Sequence, residues 1–454
     1  MGNQDNFLGR KPVVIGYRMP GDRRAGPGFR SAGHDAGGVG RARRGGLEKQ
    51  GSDEWGSERG EPVRCPGDAH EIVIGPTGSG KTVGRIIPLI LEHDGPVVAL
   101  DVKGELYRRT ALSRAIRGHD IYLIDPFGVV DDMKTSRLDP GQSIMRSHDP
   151  SDQALILAEA LNPGSMLSRE PFWDHSANRL NAAGLHYAAL NNSRLSEGAV
   201  TAWHDMLNGP NFVRSVAEAL DDNPDLPESI HQAFGSFLQT PEVTRGCIAT
   251  TAQTAMRLFA QSAVRRVIGP SDIDLTRLAD RSDYAIYIAL PPKAVAAYGP
   301  LLRLWFEMIL KALMERAEIP ETPALVVVDE AGAVGRIPSL ETAYSMGRGY
   351  GIRAVTAVQT MHQLEQAYPD AHRVLTDNAG LISVLQPPHF LAATEVAQLI
   401  GTFSPEALMA TGPGRFVASM WGREPEILIA RSWLSDPDLQ KLAGGPTRRD
   451  RPRR

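Results

Sequence analysis

Gly75-Pro76-Thr77-Gly78-Ser79-Gly80-Lys81-Thr82 constrains this chain more than any other stretch. Its spacing, G-x-x-x-x-G-K-T, is that of a loop whose backbone N–H groups wrap a phosphate chain. The flanks fit that reading. Glu71-Ile72-Val73-Ile74 reads as a buried strand, and Val83-Gly84-Arg85-Ile86-Ile87 reads as a helix start. The glycines let the backbone turn inward, and the N-terminal end of the helix favours negative charge. In that arrangement Gly75 to Thr82 bind ATP, Lys81 reaches the β- and γ-phosphates, and Thr82 holds Mg²⁺.

With 454 residues, the chain exceeds one ordinary domain. Hydrophobic residues make up 42%, enough for sizeable cores. A net charge of −4 gives no global attraction to nucleic acid, so DNA contact requires a local basic surface. The two cysteines, Cys65 and Cys247, lack metal-ligand spacing and fit a reduced, cytoplasmic setting. No apolar run reaches membrane-spanning length. The best candidate, Ala294 to Met314, carries Arg303, Glu307 and Lys311 four apart and reads as an amphipathic helix.

Residues 1–66 are rich in Gly and Arg, lack apolar periodicity and read as largely disordered, as does the basic tail 447–454. Residues 67–150 and 270–446 alternate strand-like and helical segments. The strands expected there are 96–100, 120–124, 284–288, 324–328, 353–358 and 381–385, with 415–420 and 426–430 as the outer rim. Such alternation predicts an α/β fold with a mostly parallel sheet. Residues 151–269 show no strand pattern. They read as an inserted all-alpha domain with helices at 151–161, 171–190, 199–207, 212–220, 227–238 and 241–267.

Val326-Val327-Val328-Asp329-Glu330 is an apolar strand ending in two carboxylates. With a phosphate loop upstream, Asp329 is the candidate Mg²⁺ ligand, usually acting through water, and Glu330 the base for the attacking water. Gln359 ends the next strand, where its amide can reach the γ-phosphate or the water. Arg348, in Gly347-Arg348-Gly349-Tyr350-Gly351, is the candidate for a charge contributed to a neighbouring subunit's nucleotide, ahead of Arg336 and Arg353. Asp101 and Lys103, in Asp101-Val102-Lys103-Gly104-Glu105, either border the nucleotide or form a structural turn. Phe172-Trp173 reads as helix-start core packing rather than a base-stacking platform.

Taken in order, these blocks resemble the TraG/TraD family of conjugative coupling proteins. The matching stretches are Ala69 to Lys81, Ile87-Pro88, Leu100 to Glu105, Asp125-Pro126-Phe127, Phe172-Trp173 with Ser176-Ala177, and Leu290-Pro291-Pro292. They continue with Val328-Asp329-Glu330, Gly335 to Pro338, Leu340-Glu341, Ala343, Gly349 to Arg353, Gln359, Asp377-Asn378 and Gly401-Thr402. The resemblance covers about 69 to 442. It implies a RecA-like ATPase domain with an all-alpha insertion, assembled as a homo-hexamer. It also implies ATP and Mg²⁺ as cofactors, and DNA held by its backbone. The cargo would be a relaxase–DNA complex or an effector protein, passed to a type IV secretion channel. Family members commonly begin with transmembrane helices, and this chain shows none, so the expected place is the cytoplasm or the periphery of the inner membrane. The competing readings are an FtsK- or HerA-like translocase without a secretion partner and a non-hydrolysing cargo receptor.

Overall fold

A computed structural model describes residues 11–19, 60–130, 135–162, 171–191 and 198–444. The strands in chain order are β1 (Val13–Arg18), β2 (Glu61–Cys65), β3 (Glu71–Ile74), β4 (Val97–Leu100), β5 (Asp120–Ile124) and β6 (Tyr284–Ile288). They continue with β7 (Ala324–Val328), β8 (Ile352–Val358), β9 (Leu381–Leu385), β10 (Arg415–Met420) and β11 (Glu426–Ile429). The chain divides into two compact units, one from 1–93 with 353–454, the other from 94–352.

In the first unit the strands run in the order β2-β1-β11-β10-β9-β3-β8. β3 lies parallel between β8 and β9, with Ile74 opposite both Val358 and Val384. Every residue of β3 is buried, as a parallel strand covered on both faces requires. The remaining pairs are antiparallel.

Two expectations are corrected in this unit. Strands β1 and β2 fall inside the 1–66 stretch read as disordered; residues 1–10 and 20–59 lie outside the described residues. Val13-Val14-Ile15 and Val63-Arg64-Cys65 supply enough apolar surface to seat both strands, with Ile15, Val63 and Cys65 buried. As a result β10 and β11 are not the rim. β1 adds beyond β11, and β2 forms the edge, where Pro62 withholds a donor and Glu61 and Arg64 face water.

The second unit holds β7-β4-β6-β5, all parallel. The runs Val97-Val98-Ala99-Leu100 and Ala324-Leu325-Val326-Val327-Val328 are wholly buried. Between β5 and β6 the described residues form helices and no strand, the longest being Pro171–Leu190. Their aromatic core centres on Trp203, which stacks on Phe234 and donates through Nε1 to Asn181 Oδ1 at 3.0 Å. Phe172, expected in the core, is 58% exposed and meets Trp173 edge to face. It sits at the first turn of its helix, one residue after Pro171. The expected helix over 241–267 is broken at Met256 into Glu242–Ala255, a 3₁₀ turn and a short last turn. The amphipathic segment is the helix Pro292–Met314. Among the described residues no helix is long and apolar enough to cross a membrane.

Candidate active site

The phosphate loop leaves the carboxyl end of β3, the position where α/β sheets bind ligands. Gly75 N–H donates to Val358 C=O at 3.1 Å, anchoring the loop to β8. Gly75 must be glycine, since a Cβ there would lie 2.7 Å from Ser79 Oγ and 2.9 Å from Leu385 Cβ. Gly78 and Gly80 adopt φ of +84° and +91°, conformations open to glycine, with nothing near the space a Cβ would take. The buried Lys81 ammonium donates back across the loop to Gly75 C=O at 2.6 Å. Ser79 Oγ is buried without a hydrogen-bond partner. A loop that turns on two positive-φ glycines and holds a buried ammonium has the donor set that a phosphate chain requires. The helix that follows begins as a π turn, Thr82–Ile86, with the half-buried Thr82 at its start.

Gln359 follows Val358 at the end of β8, the strand in register with β3, so it emerges beside Gly75. Its N–H donates to Gln363 Oε1 at 3.0 Å, which fixes the turn. At the other end of β3, Glu71 accepts from Arg85 Nε at 2.5 Å, Arg85 Nη2 at 2.7 Å and Ser383 Oγ at 2.7 Å, all within the buried interior. This network ties the helix after the phosphate loop to β3 and β9. Arg353, a lesser candidate for a charge shared with a neighbour, is fully buried beside Glu71 and Cys65 and is removed from that role.

The carboxylates stand in the second unit. β4 and β7 are parallel neighbours with Leu100 opposite Val328, so Asp101 and Asp329 leave the sheet side by side. Asp329 N–H donates to Leu100 C=O at 3.2 Å, and the residue is 4% exposed. Glu330 has φ +59° and ψ +47°, the one non-glycine in the left-handed region among the described residues. Such a conformation costs on the order of 1–3 kcal/mol and is sustained only where the surroundings fix it. Lys103 Nζ donates to Glu330 Oε1 at 3.1 Å. Burial pulls the Lys103 ammonium down, but the hydrogen bond and charge of Glu330, with Asp329 and Glu105, hold it above its usual value.

Asp101 is the structural member of its turn. Its Oδ2 accepts Tyr107 N–H at 2.9 Å at the start of the helix Glu105–Ile116, and burial pushes its carboxyl up to about 6. Lys103, expected either to border the nucleotide or to belong to a structural turn, is placed on Glu330, a pairing that neither alternative included.

Arg348 lies in the 3₁₀ turn Gly347–Tyr350. The neighbouring Gly351 C=O accepts Ala324 N–H at 2.8 Å, which sets this turn at the amino end of β7. Asp329 and Glu330 leave the opposite end, a strand length of roughly 16 Å away. Arg348 is therefore not brought to the carboxylates of its own unit. Arg336 is gripped through two nitrogens by Glu341, at 2.7 and 3.2 Å.

The sequence pattern of the family described as type IV secretory system conjugative DNA transfer matches residues 10–404. The chain belongs to this family. The match begins well before residue 69, so it takes in β1 and β2 as well. A conjugal transfer protein TraG of Escherichia coli is 24% identical over 406 residues, 84% of this chain and 63% of the relative. A VirD4 protein of Rhizobium radiobacter is 25% identical over 381 residues, 82% of this chain and 53% of the relative. The chain thus spans about half to two thirds of the curated relatives it matches. The bacterial conjugative coupling protein TrwB, lacking 70 N-terminal residues, superposes with a TM-score of 0.61. The identity is 16%, covering 81% of this chain and 86% of that one. The same protein with ADP and Mg²⁺ gives a TM-score of 0.59 at 15% identity, over 80% and 85%. The fold is that of a RecA-like P-loop NTPase.

Proposed function

We propose that the chain is the ATP-hydrolysing motor of a coupling protein, driving DNA, as a relaxase–DNA complex, or an effector protein into a type IV secretion channel. The phosphate loop carries this reading. It is built on a buried parallel strand, closed by Gly75 against β8, with the Lys81 ammonium held across it. TrwB, of the same fold, has been solved with ADP and Mg²⁺.

In this reading Gly75, Pro76, Thr77, Gly78, Ser79 and Gly80 bind the phosphates, and Lys81 neutralises charge on the β- and γ-oxygens. Thr82 and Asp329 would hold Mg²⁺, which supplies further positive charge to the leaving phosphates. Glu330 takes a proton from water as its oxygen bonds to the γ-phosphorus and the bond to ADP breaks. General-base help of this kind is worth roughly a hundred- to ten-thousandfold. Gln359 orients the water or the γ-phosphate. Arg348 acts on a neighbouring protomer of a homo-hexameric ring, consistent with its distance from its own carboxylates. Residues 151–269, whose described parts are helical, form the inserted all-alpha domain, and the motor works in the cytoplasm or peripherally at the inner membrane.

A DNA motor must accept any sequence, so its contacts are to phosphates, and binding should weaken steeply as salt displaces them. Labelled single- and double-stranded DNA titrated at several salt concentrations tests this. Affinity that falls with salt and ignores sequence supports the reading. Affinity indifferent to salt, or confined to one short sequence, contradicts it.

A further inference from the structure

We infer that Lys103 is the positioning residue for Glu330, holding the carboxylate in the orientation from which it acts on water. This rests on the reading of Glu330 as the base. Glu330 sits on a left-handed backbone at the end of β7, so its side chain starts from a conformation that local preference does not hold. Lys103 Nζ reaches its Oε1 at 3.1 Å from the loop after β4, the parallel neighbour of β7.

The anchor of that lysine is rigid. Asp101 N–H is bound to Ile288 C=O at 2.9 Å, and Gly104 N–H to Asp101 C=O at 3.1 Å. Gly104 has φ +70°, and a Cβ there would lie 2.8 Å from Val130 Cγ2, so the turn is packed as well as bonded. Lys103 itself is 47% exposed and Glu330 12%. An ion pair exposed to that degree contributes little to folding. What it fixes is the direction of a carboxylate, and small misplacement of a reacting group is costly in rate.

The test uses the full chain with Lys103→Ala and Lys103→Arg, each alone and with Glu330→Gln. Turnover, KM, affinity for a fluorescent ATP analogue and the thermal midpoint are measured. Lys103→Ala should lower kcat about tenfold while KM, affinity and midpoint stay near wild type. Lys103→Arg, which keeps the donor, should recover most of that loss. In the Glu330→Gln background Lys103→Ala should cost nothing further. Wild-type or faster turnover in Lys103→Ala, with Glu330→Gln inactive, overturns the inference and leaves the base intact. So does a loss that tracks affinity or the midpoint. Full turnover in Glu330→Gln overturns the base, and this inference with it.

Discussion

Asp139 shows at residue scale how burial sets a pH response. Its carboxylate accepts N–H bonds from Gly141 at 3.0 Å and Ala199 at 2.5 Å, joining the loop after β5 to the helix Ala199–Leu207. Burial outweighs those bonds and pushes its carboxyl from 3.8 up to about 6. The folded chain therefore holds this proton more tightly than the unfolded one. The stability it lends is full below about pH 3.8 and is lost as pH rises through 6. Asp139→Asn removes the titration. In urea unfolding between pH 4 and 7, the gap between the two proteins should move in the variant's favour by on the order of 2 kcal/mol. A gap that stays flat contradicts the burial argument. Lys81, Thr82, Asp329 and Glu330 stand out as candidates because short-range spacing carries the signal, and their roles belong to the proposal. The Lys103–Glu330 pair was not, since it spans 227 positions and depends on β4 lying beside β7. Arg353 was a lesser candidate for a charge given to a neighbouring subunit, yet it lies in the buried strand Ile352–Val358 beside Glu71.

At the scale of elements, Gly184 decides how two helices meet. A Cβ there would lie 2.1 Å from the Trp203 ring, so the helix Pro171–Leu190 passes the helix Ala199–Leu207 through a glycine notch. Helix propensity alone favours alanine by about 1 kcal/mol. Overpacking against a ring that is itself fully buried costs roughly 1–3 kcal/mol, and more where the ring cannot shift. Gly184→Ala should therefore lower stability in thermal or urea unfolding, and a stabilised variant would show that Trp203 yields. Most central strands and most of the helices between β5 and β6 were legible, because apolar runs and their Pro, Asn and Asp boundaries are local signals. β1 and β2 were not. Their short apolar runs sit in a Gly- and Arg-rich stretch, and what secures them is pairing with β11, more than 400 positions away from β1 in sequence. The rim was misplaced for the same reason, since strand order is set by partners rather than by composition.

At the scale of the molecule, the family stands on a match over 10–404 and the fold on the likeness to TrwB, while ring assembly and cargo belong to the proposal. Arg348 tests the ring. Arg348→Ala and Lys81→Ala chains should each be inactive, and mixed rings should regain partial ATPase activity, because some interfaces then pair an intact loop with an intact arginine. Such an arginine is worth roughly a thousandfold or more. Full activity in Arg348→Ala alone removes the role and leaves Arg336 as the candidate. The claim on which all of this depends is that Lys81 binds and Glu330 hydrolyses. The direct measurement is Mg²⁺-dependent ATP binding and turnover in wild type, Lys81→Ala and Glu330→Gln. Lys81→Ala should lose both. Glu330→Gln should bind ATP and retain it, with turnover down on the order of a hundredfold or more. Wild-type turnover in Glu330→Gln, or undiminished binding and turnover in Lys81→Ala, would contradict the account.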